Sequence, residues 1–137
     1  MAPISDPERR RAGSGQDLVT VSITRLDGPA SWEDSGPAPD RILAGQPAHR
    51  AWNAFTDASG QFFCGRWSST PGKWRVRYTE NELCVITAGR VTVESVAGER
   101  QEFVAGDAFV VPAGFGGTWT VHEDCTKFYA IFEPRAQ

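Results

Sequence analysis

Apolar residues along this chain fall in short runs rather than at helical spacing, and turn-forming residues cut the runs at regular intervals. From Arg50 onward the cuts lie at Asp57-Ala58-Ser59-Gly60, Pro71-Gly72, Ala88-Gly89, Ala97-Gly98, Ala105-Gly106 and Ala113-Gly114, and the last four recur every eight or nine residues. No window carries the i, i+3, i+4 pattern of an amphipathic helix. Short strands punctuated in this way predict an all-β sandwich or barrel.

Alternation within the runs assigns faces, because successive side chains of a strand point to opposite sides of the sheet. Trp74, Val76 and Tyr78 are expected to point into the barrel, opposite Lys73, Arg75 and Arg77. Val91 and Val93 point in against Arg90, Thr92 and Glu94. Trp119 and Val121 point in against Thr118, Thr120 and His122. The stretch Lys127 to Glu133 closes the domain, with Phe128, Ala130 and Phe132 on one face. Further upstream, Leu18 to Thr24 alternates with Val19, Val21 and Ile23 on one side, the pattern of a half-buried strand. Gly28 to Asp40, with Pro29, Pro37 and Pro39, reads as an irregular connection. Residues 1–16 are polar and broken by Pro3 and Pro7, so they are expected to form a flexible, disordered tail before a barrel over residues 17–137.

The 137 residues suit one domain with one core. A formal net charge of −3 gives no electrostatic case for nucleic acid, and Arg9 to Arg11, the one basic run, reads as part of the solvated tail. No apolar stretch approaches the roughly 18–20 residues that a membrane span needs. The first fifteen residues lack the apolar segment of a secretory signal, so the expected location is the cytoplasm. The three cysteines, Cys64, Cys84 and Cys125, are odd in number and show no close-pair zinc spacing; they read as reduced thiols. Histidine is limited to His49 and His122.

Two segments carry a family resemblance. Tyr78-Thr79-Glu80-Asn81-Glu82-Leu83-Cys84-Val85-Ile86-Thr87-Ala88-Gly89 resembles the first cupin motif, with Glu82 and Gly89 at its closing glutamate and glycine. Gly106-Asp107-Ala108-Phe109-Val110-Val111-Pro112-Ala113-Gly114 resembles the start of the second. The order and separation of the two are also those of a cupin. The resemblance implies a cupin double-stranded β-helix, a jelly-roll barrel. Trp74, Tyr78, the Glu82-x-Cys84 segment and Gly106 to Gly114 resemble a branch of small single-domain cupins related to the ureidoglycine aminohydrolase cupin domain. That branch implies nitrogen-rich metabolites, and its namesake implies manganese chemistry. The metal ligands implied by the resemblance fall at Val76, Tyr78, Glu82 and Gly117 (Arg75 and Arg77 replace the first two in a register one residue longer). Only Glu82 is a usual ligand. No cofactor or metal is therefore expected, and the one unconventional metal arrangement that the residue types allow combines Glu82, Cys84 and a loop histidine.

Face assignment and motif register converge on one inward set: Trp74, Val76, Tyr78, Glu82, Cys84 and Trp119, with Phe115 at the barrel mouth. A carboxylate in an apolar barrel is costly unless paired, so Glu82 reads either as an acid or base assisted by Tyr78 or as a relic ligand satisfied by its neighbours. The tryptophans and Val76 read as ligand-stacking walls or as packing. Cys84 beside a carboxylate reads as an inert thiol. Glu80 is expected in a solvated turn, His122 on the outer face, and His49 in the Gln46 to Arg50 approach, positioned to fold over the mouth. Three functions fit this set: a metal-independent isomerase or hydrolase of a polar metabolite, a non-catalytic ligand-binding or sensing cupin, and an accessory protein with a self-filled cavity. The expected partners are a small-molecule ligand and a second copy of the chain. The homodimer would pair through sheet edges, with the Leu18 to Thr24 strand available for exchange.

Overall fold

The computed structural model describes residues 21–135. Within them the chain forms β1 (Glu33–Gly36), a 3-10 turn (Pro39–Arg41), β2 (Ile42–Gly45), β3 (His49–Thr56), β4 (Phe62–Ser69), β5 (Gly72–Arg77), β6 (Asn81–Ser95), β7 (Arg100–Val104), β8 (Ala108–Val111) and β9 (Gly116–Phe132). All the strand pairings are antiparallel. Among the described residues, no helix is long and apolar enough to cross a membrane.

Two long strands organise the rest. The first half of β9 lies between β5 and the second half of β6, and its second half lies between β4 and the first half of β6. One sheet therefore reads β2-β5-β9-β6-β7 and the other β1-β3-β4-β9-β6-β8, with β6 and β9 common to both. The turn expected at Ala88-Gly89 is in fact a bend inside β6, marked by register shifts from Ile86 to Val91. Gly89 permits it: its φ of +93° suits only glycine, and a Cβ there would run into the Asp124 carbonyl of β9. The stretches expected as separate strands around Trp119 and Phe128 are likewise one strand. The turns at Gly98, Gly106 and Gly114 are real turns, each with a glycine at positive φ.

Two further expectations are corrected. Val21 to Thr24 form no strand, and Val21 and Ile23 are 86% and 100% exposed. Their alternation has no sheet to lie against, and a pattern alone buries nothing. Leu18 to Thr20 and the expected tail, residues 1–16, lie outside the described residues. The Gly28 to Asp40 connection is not wholly irregular either. Glu33 and Asp34 pair with Ala51 and Arg50 as an edge strand, held by main-chain bonds rather than burial, since all four residues of β1 are exposed. Beside it, Arg50 and Arg66 both lie over the Trp32 ring, at 5.5 and 5.3 Å.

The core fills the space between the sheets. Ile86, Val91, Val93, Val111 and Val121 are buried, and Phe103 and Phe109 stack with centroids 3.7 Å apart. Val91, Val93, Trp119 and Val121 point inward as the alternation predicts. Trp119 joins this part to a second, aromatic part: it lies 5.9 Å from Phe109, 5.8 Å from Trp67 and 6.4 Å from Trp74.

Candidate functional site

Around that aromatic part lies a cavity of about 170 Å³, lined by His49, Trp67, Trp74, Val76, Tyr78, Glu82, Trp119 and Lys127. Each strand contributes by parity. Trp74, Val76 and Tyr78 follow one another along β5 and the turn after it, and Glu82 is the second residue of β6. Trp67 comes from β4, and Trp119 and Lys127 from the two halves of β9.

The centre of the site is an ion pair. Glu82 and Lys127 are each about 5% exposed, and the Lys127 ammonium lies 2.9 Å from Glu82 Oε2. The other carboxylate oxygen, Oε1, accepts the Tyr78 hydroxyl at 2.8 Å. The Lys127 backbone sits opposite Ile86, one inward position along β6 from Cys84 and two from Glu82. Its stem therefore runs back along the strand, past Cys84 Sγ at 3.5 Å, to reach the carboxylate. The ammonium also lies over two indole rings, 4.6 Å from Trp67 and 4.4 Å from Trp119. Such contacts strengthen when water is excluded.

The protonation states follow from this packing. Burial alone would pull the Lys127 ammonium down, but the charge of Glu82, seconded by Cys84, outweighs it and holds the pKa above its ordinary value. Burial, and then the Glu82 charge, push the Tyr78 hydroxyl well above the ordinary range. Burial drives the Cys84 thiol up to about 12, against the pull of Lys127, so it is protonated and a poor nucleophile. His49, which opens β3, moves the other way: burial and then the Lys127 charge lower it to about 4, leaving a neutral ring at pH 7. That ring stands edge-on to Trp67 and Trp74, at 4.9 and 4.3 Å. His49 Nε2 and Trp119 Nε1 are buried without a hydrogen-bond partner.

The inward set read from sequence is thus largely brought together: Trp74, Val76, Tyr78, Glu82 and Trp119 line the cavity, and Cys84 touches Lys127 from beneath. Phe115 is not on the cavity wall; it stands behind Tyr78, edge-on at 6.1 Å. His122 lies away from the cavity, with Nε2 2.8 Å from the Thr92 hydroxyl. Glu80 turns back to accept the Thr79 amide. Lys127 and Trp67 were missed. Phe128, Ala130 and Phe132 share a face as expected, but that face looks outward, and Cys125, Lys127 and Tyr129 are the buried side of β9. The available signal was Glu82 itself: a lone carboxylate predicted inside a barrel requires a cation from some inward position.

The donor set does not fit a metal of the kind the cupin resemblance implies. Val76 and Gly117 offer no donor atom, and Gly117 has no room for one, since a Cβ there would collide with the Glu94 carbonyl. Tyr78 donates to Glu82, and Glu82 is engaged by Lys127. Among the described residues, no three His, Cys, Asp or Glu side chains converge as a metal would require.

Two sheets wrapped around a small polar and aromatic cavity through two shared strands define a small cupin barrel. The chain belongs to the EutQ-like cupin domain family, whose sequence pattern matches residues 56–129. It is similar to a DUF861-family protein of unknown function from Pseudomonas syringae pv. tomato, at 30% identity over 77% of this chain and 46% of that one, with a TM-score of 0.71. It shares the fold of the Clostridium difficile EutQ protein, at 15% identity over 64% of each chain and a TM-score of 0.58. It shares it too with a putative ethanolamine utilization protein Q from Salmonella typhimurium, at 13% identity over 78% of this chain and 98% of that one, with a TM-score of 0.59. The chain spans under half the length of its P. syringae relative. No curated protein matches it.

Proposed function

We propose that this EutQ-like cupin binds a small organic molecule in its barrel cavity without a metal, and that the Tyr78–Glu82–Lys127 chain supplies the polar centre. The observation that carries this reading is the Lys127 ammonium, 2.9 Å from Glu82, the only carboxylate among the described residues that line the cavity. A divalent cation would have to displace it and then find further ligands. Trp74, Val76 and Trp119 serve as walls, with Trp67 and His49 added to the set. Elemental analysis of the chelator-free protein tests the metal-independent part, and well under one metal per chain is the expected result. Near-stoichiometric manganese, iron, nickel or zinc would instead support the alternative drawn from the ureidoglycine aminohydrolase resemblance, a metal-dependent hydrolase of a nitrogen-rich metabolite.

Binding is favoured over turnover because Lys127, Tyr78 and Cys84 are all held protonated. A catalytic version of the same site, an isomerase or hydrolase, draws support from the 2.8 Å Tyr78–Glu82 hydrogen bond, which links a proton donor to a carboxylate. It requires that Glu82→Gln abolish turnover while sparing binding. The molecule is proposed to work in the cytoplasm as a homodimer. All three cysteines are free thiols, which suits a reducing compartment. The outer face of β4, β6, β8 and β9 exposes Phe62, Leu83, Val110 and Phe132 in adjoining positions, which suits a subunit contact.

A further inference from the structure

We infer that the ligand of this cavity is a small uncharged molecule bearing a carbonyl-type acceptor, such as a short amide. The inference rests on the cavity being a ligand site, as proposed above. Size comes first. Ligand pockets for drug-sized molecules span roughly 300–1,000 Å³, and this one is about 170 Å³. A cavity of this size suits a ligand smaller than that class.

Charge comes second. Glu82 and Lys127 neutralise each other inside the cavity, and the remaining polar lining residues, Tyr78, His49 and Trp119, are uncharged at pH 7. A third charge would shed its water in this site and meet no unpaired counter-ion.

Hydrogen-bonding capacity comes third. Both Glu82 oxygens already accept, from Tyr78 and from Lys127. Lys127 has three N–H groups, of which one serves Glu82 and another faces Cys84 Sγ. Trp119 Nε1 is buried without a partner and can only donate. Trp119 Nε1 is thus a spare donor, and it calls for an acceptor on the ligand. The indole walls of Trp67, Trp74 and Trp119 suit a planar group. His49 Nε2, also without a partner, accepts an amide N–H when the ring carries its proton on Nδ1.

The test uses propionamide, propionate and propylammonium, near-isosteres that differ in charge, each titrated into the full chain and followed by tryptophan fluorescence and by Tm. Propionamide is expected to bind at least about tenfold more tightly than either ion, because only it avoids placing an unpaired charge in the site. Glu82→Gln leaves Lys127 uncompensated and should move the preference to propionate. Lys127→Met leaves Glu82 uncompensated and should move it to propylammonium. Either variant serves if the other does not fold. An ion that matches the amide on the wild-type protein, or a folded variant whose preference does not move, overturns the ligand class and leaves the cavity reading standing. Silence of the wild-type protein and of both variants towards all three compounds overturns the cavity reading itself.

Discussion

The two faces of the second half of β9 reverse the usual distribution of residues. The inner face carries Cys125, Lys127 and Tyr129, with an ammonium 5% exposed at its centre. The outer face carries Phe128, Ala130 and Phe132, and Phe132 is 47% exposed. Lysine is among the residues least often buried, and phenylalanine among those most often buried. The inner face departs from the rule because Glu82, Tyr78 and two indole rings surround the charge. The outer face departs from it in part: Leu26 and Asp27 lie beside Phe128 and Ala130, while Phe132 stays exposed among the described residues. Polarity alone does not say which side of a strand is inside; the partner on each side does.

Removing the inner partner should have the largest effect. Lys127→Met strands the Glu82 carboxylate, and breaking a buried pair in this way costs about 3–5 kcal/mol. Urea denaturation should show a falling midpoint. The double variant Glu82→Leu/Lys127→Met removes both charges and should recover most of that loss, since well-packed apolar replacements of buried pairs are often neutral or stabilising by about 1–4 kcal/mol. A double variant no more stable than Lys127→Met would show that the lysine stem and the cation–π contacts, rather than the pair, hold the site.

A second, smaller effect is the pH dependence of His49. Its folded pKa of about 4 lies below the ordinary 6.5, so between these values the unfolded chain binds more protons than the folded one. Stability attached to this group is complete above about pH 6.5 and is lost as pH falls towards 4, with a slope approaching about 1.4 kcal/mol per pH unit. His49→Gln should flatten the acid limb of a stability–pH profile in that window. An unchanged limb would place the acid sensitivity elsewhere.

The smallest effect on the folded chain belongs to the outer face. Val110→Lys, at a position 62% exposed, should change monomer stability by no more than about 0.5 kcal/mol. The same change should convert the proposed dimer to a monomer in sedimentation equilibrium. A wild-type protein that sediments as a monomer would leave the outer face as plain surface and the contrast without its second half.

Much of the architecture was legible in the residues. The glycine turns at Gly98, Gly106 and Gly114 demanded a left-handed backbone, and strict alternation over Trp74 to Tyr78 and around Val91 and Trp119 placed those side chains inside. Lys127 was not legible, because within its own strand a lysine next to Phe128 reads as the solvated side. Its burial is set by a residue forty-five positions earlier (127 minus 82). His49 was hard to read for a similar reason: its shelter comes from Trp67 and Trp74 on two other strands. Ala88-Gly89 misled as a turn, since a bend within a continuous strand uses the same residues as a reversal. The Val21 and Ile23 alternation misled because a strand pattern states which face is apolar without supplying a surface to meet it.

The bend at Gly89 has a consequence for how the protein comes apart. β6 and β9 run through both sheets, so neither sheet can open without breaking the ladder that the other depends on. Amide hydrogens at Val91 to Val93 and at Cys125 to Tyr129 lie in different sheets, yet they should exchange with solvent through the same opening, with one common free energy. β6 ends at Ser95 and β9 begins at Gly116, so the pair closes over the excursion of β7 and β8. The pairing of β6 with β9 gives both sheets their spine at once.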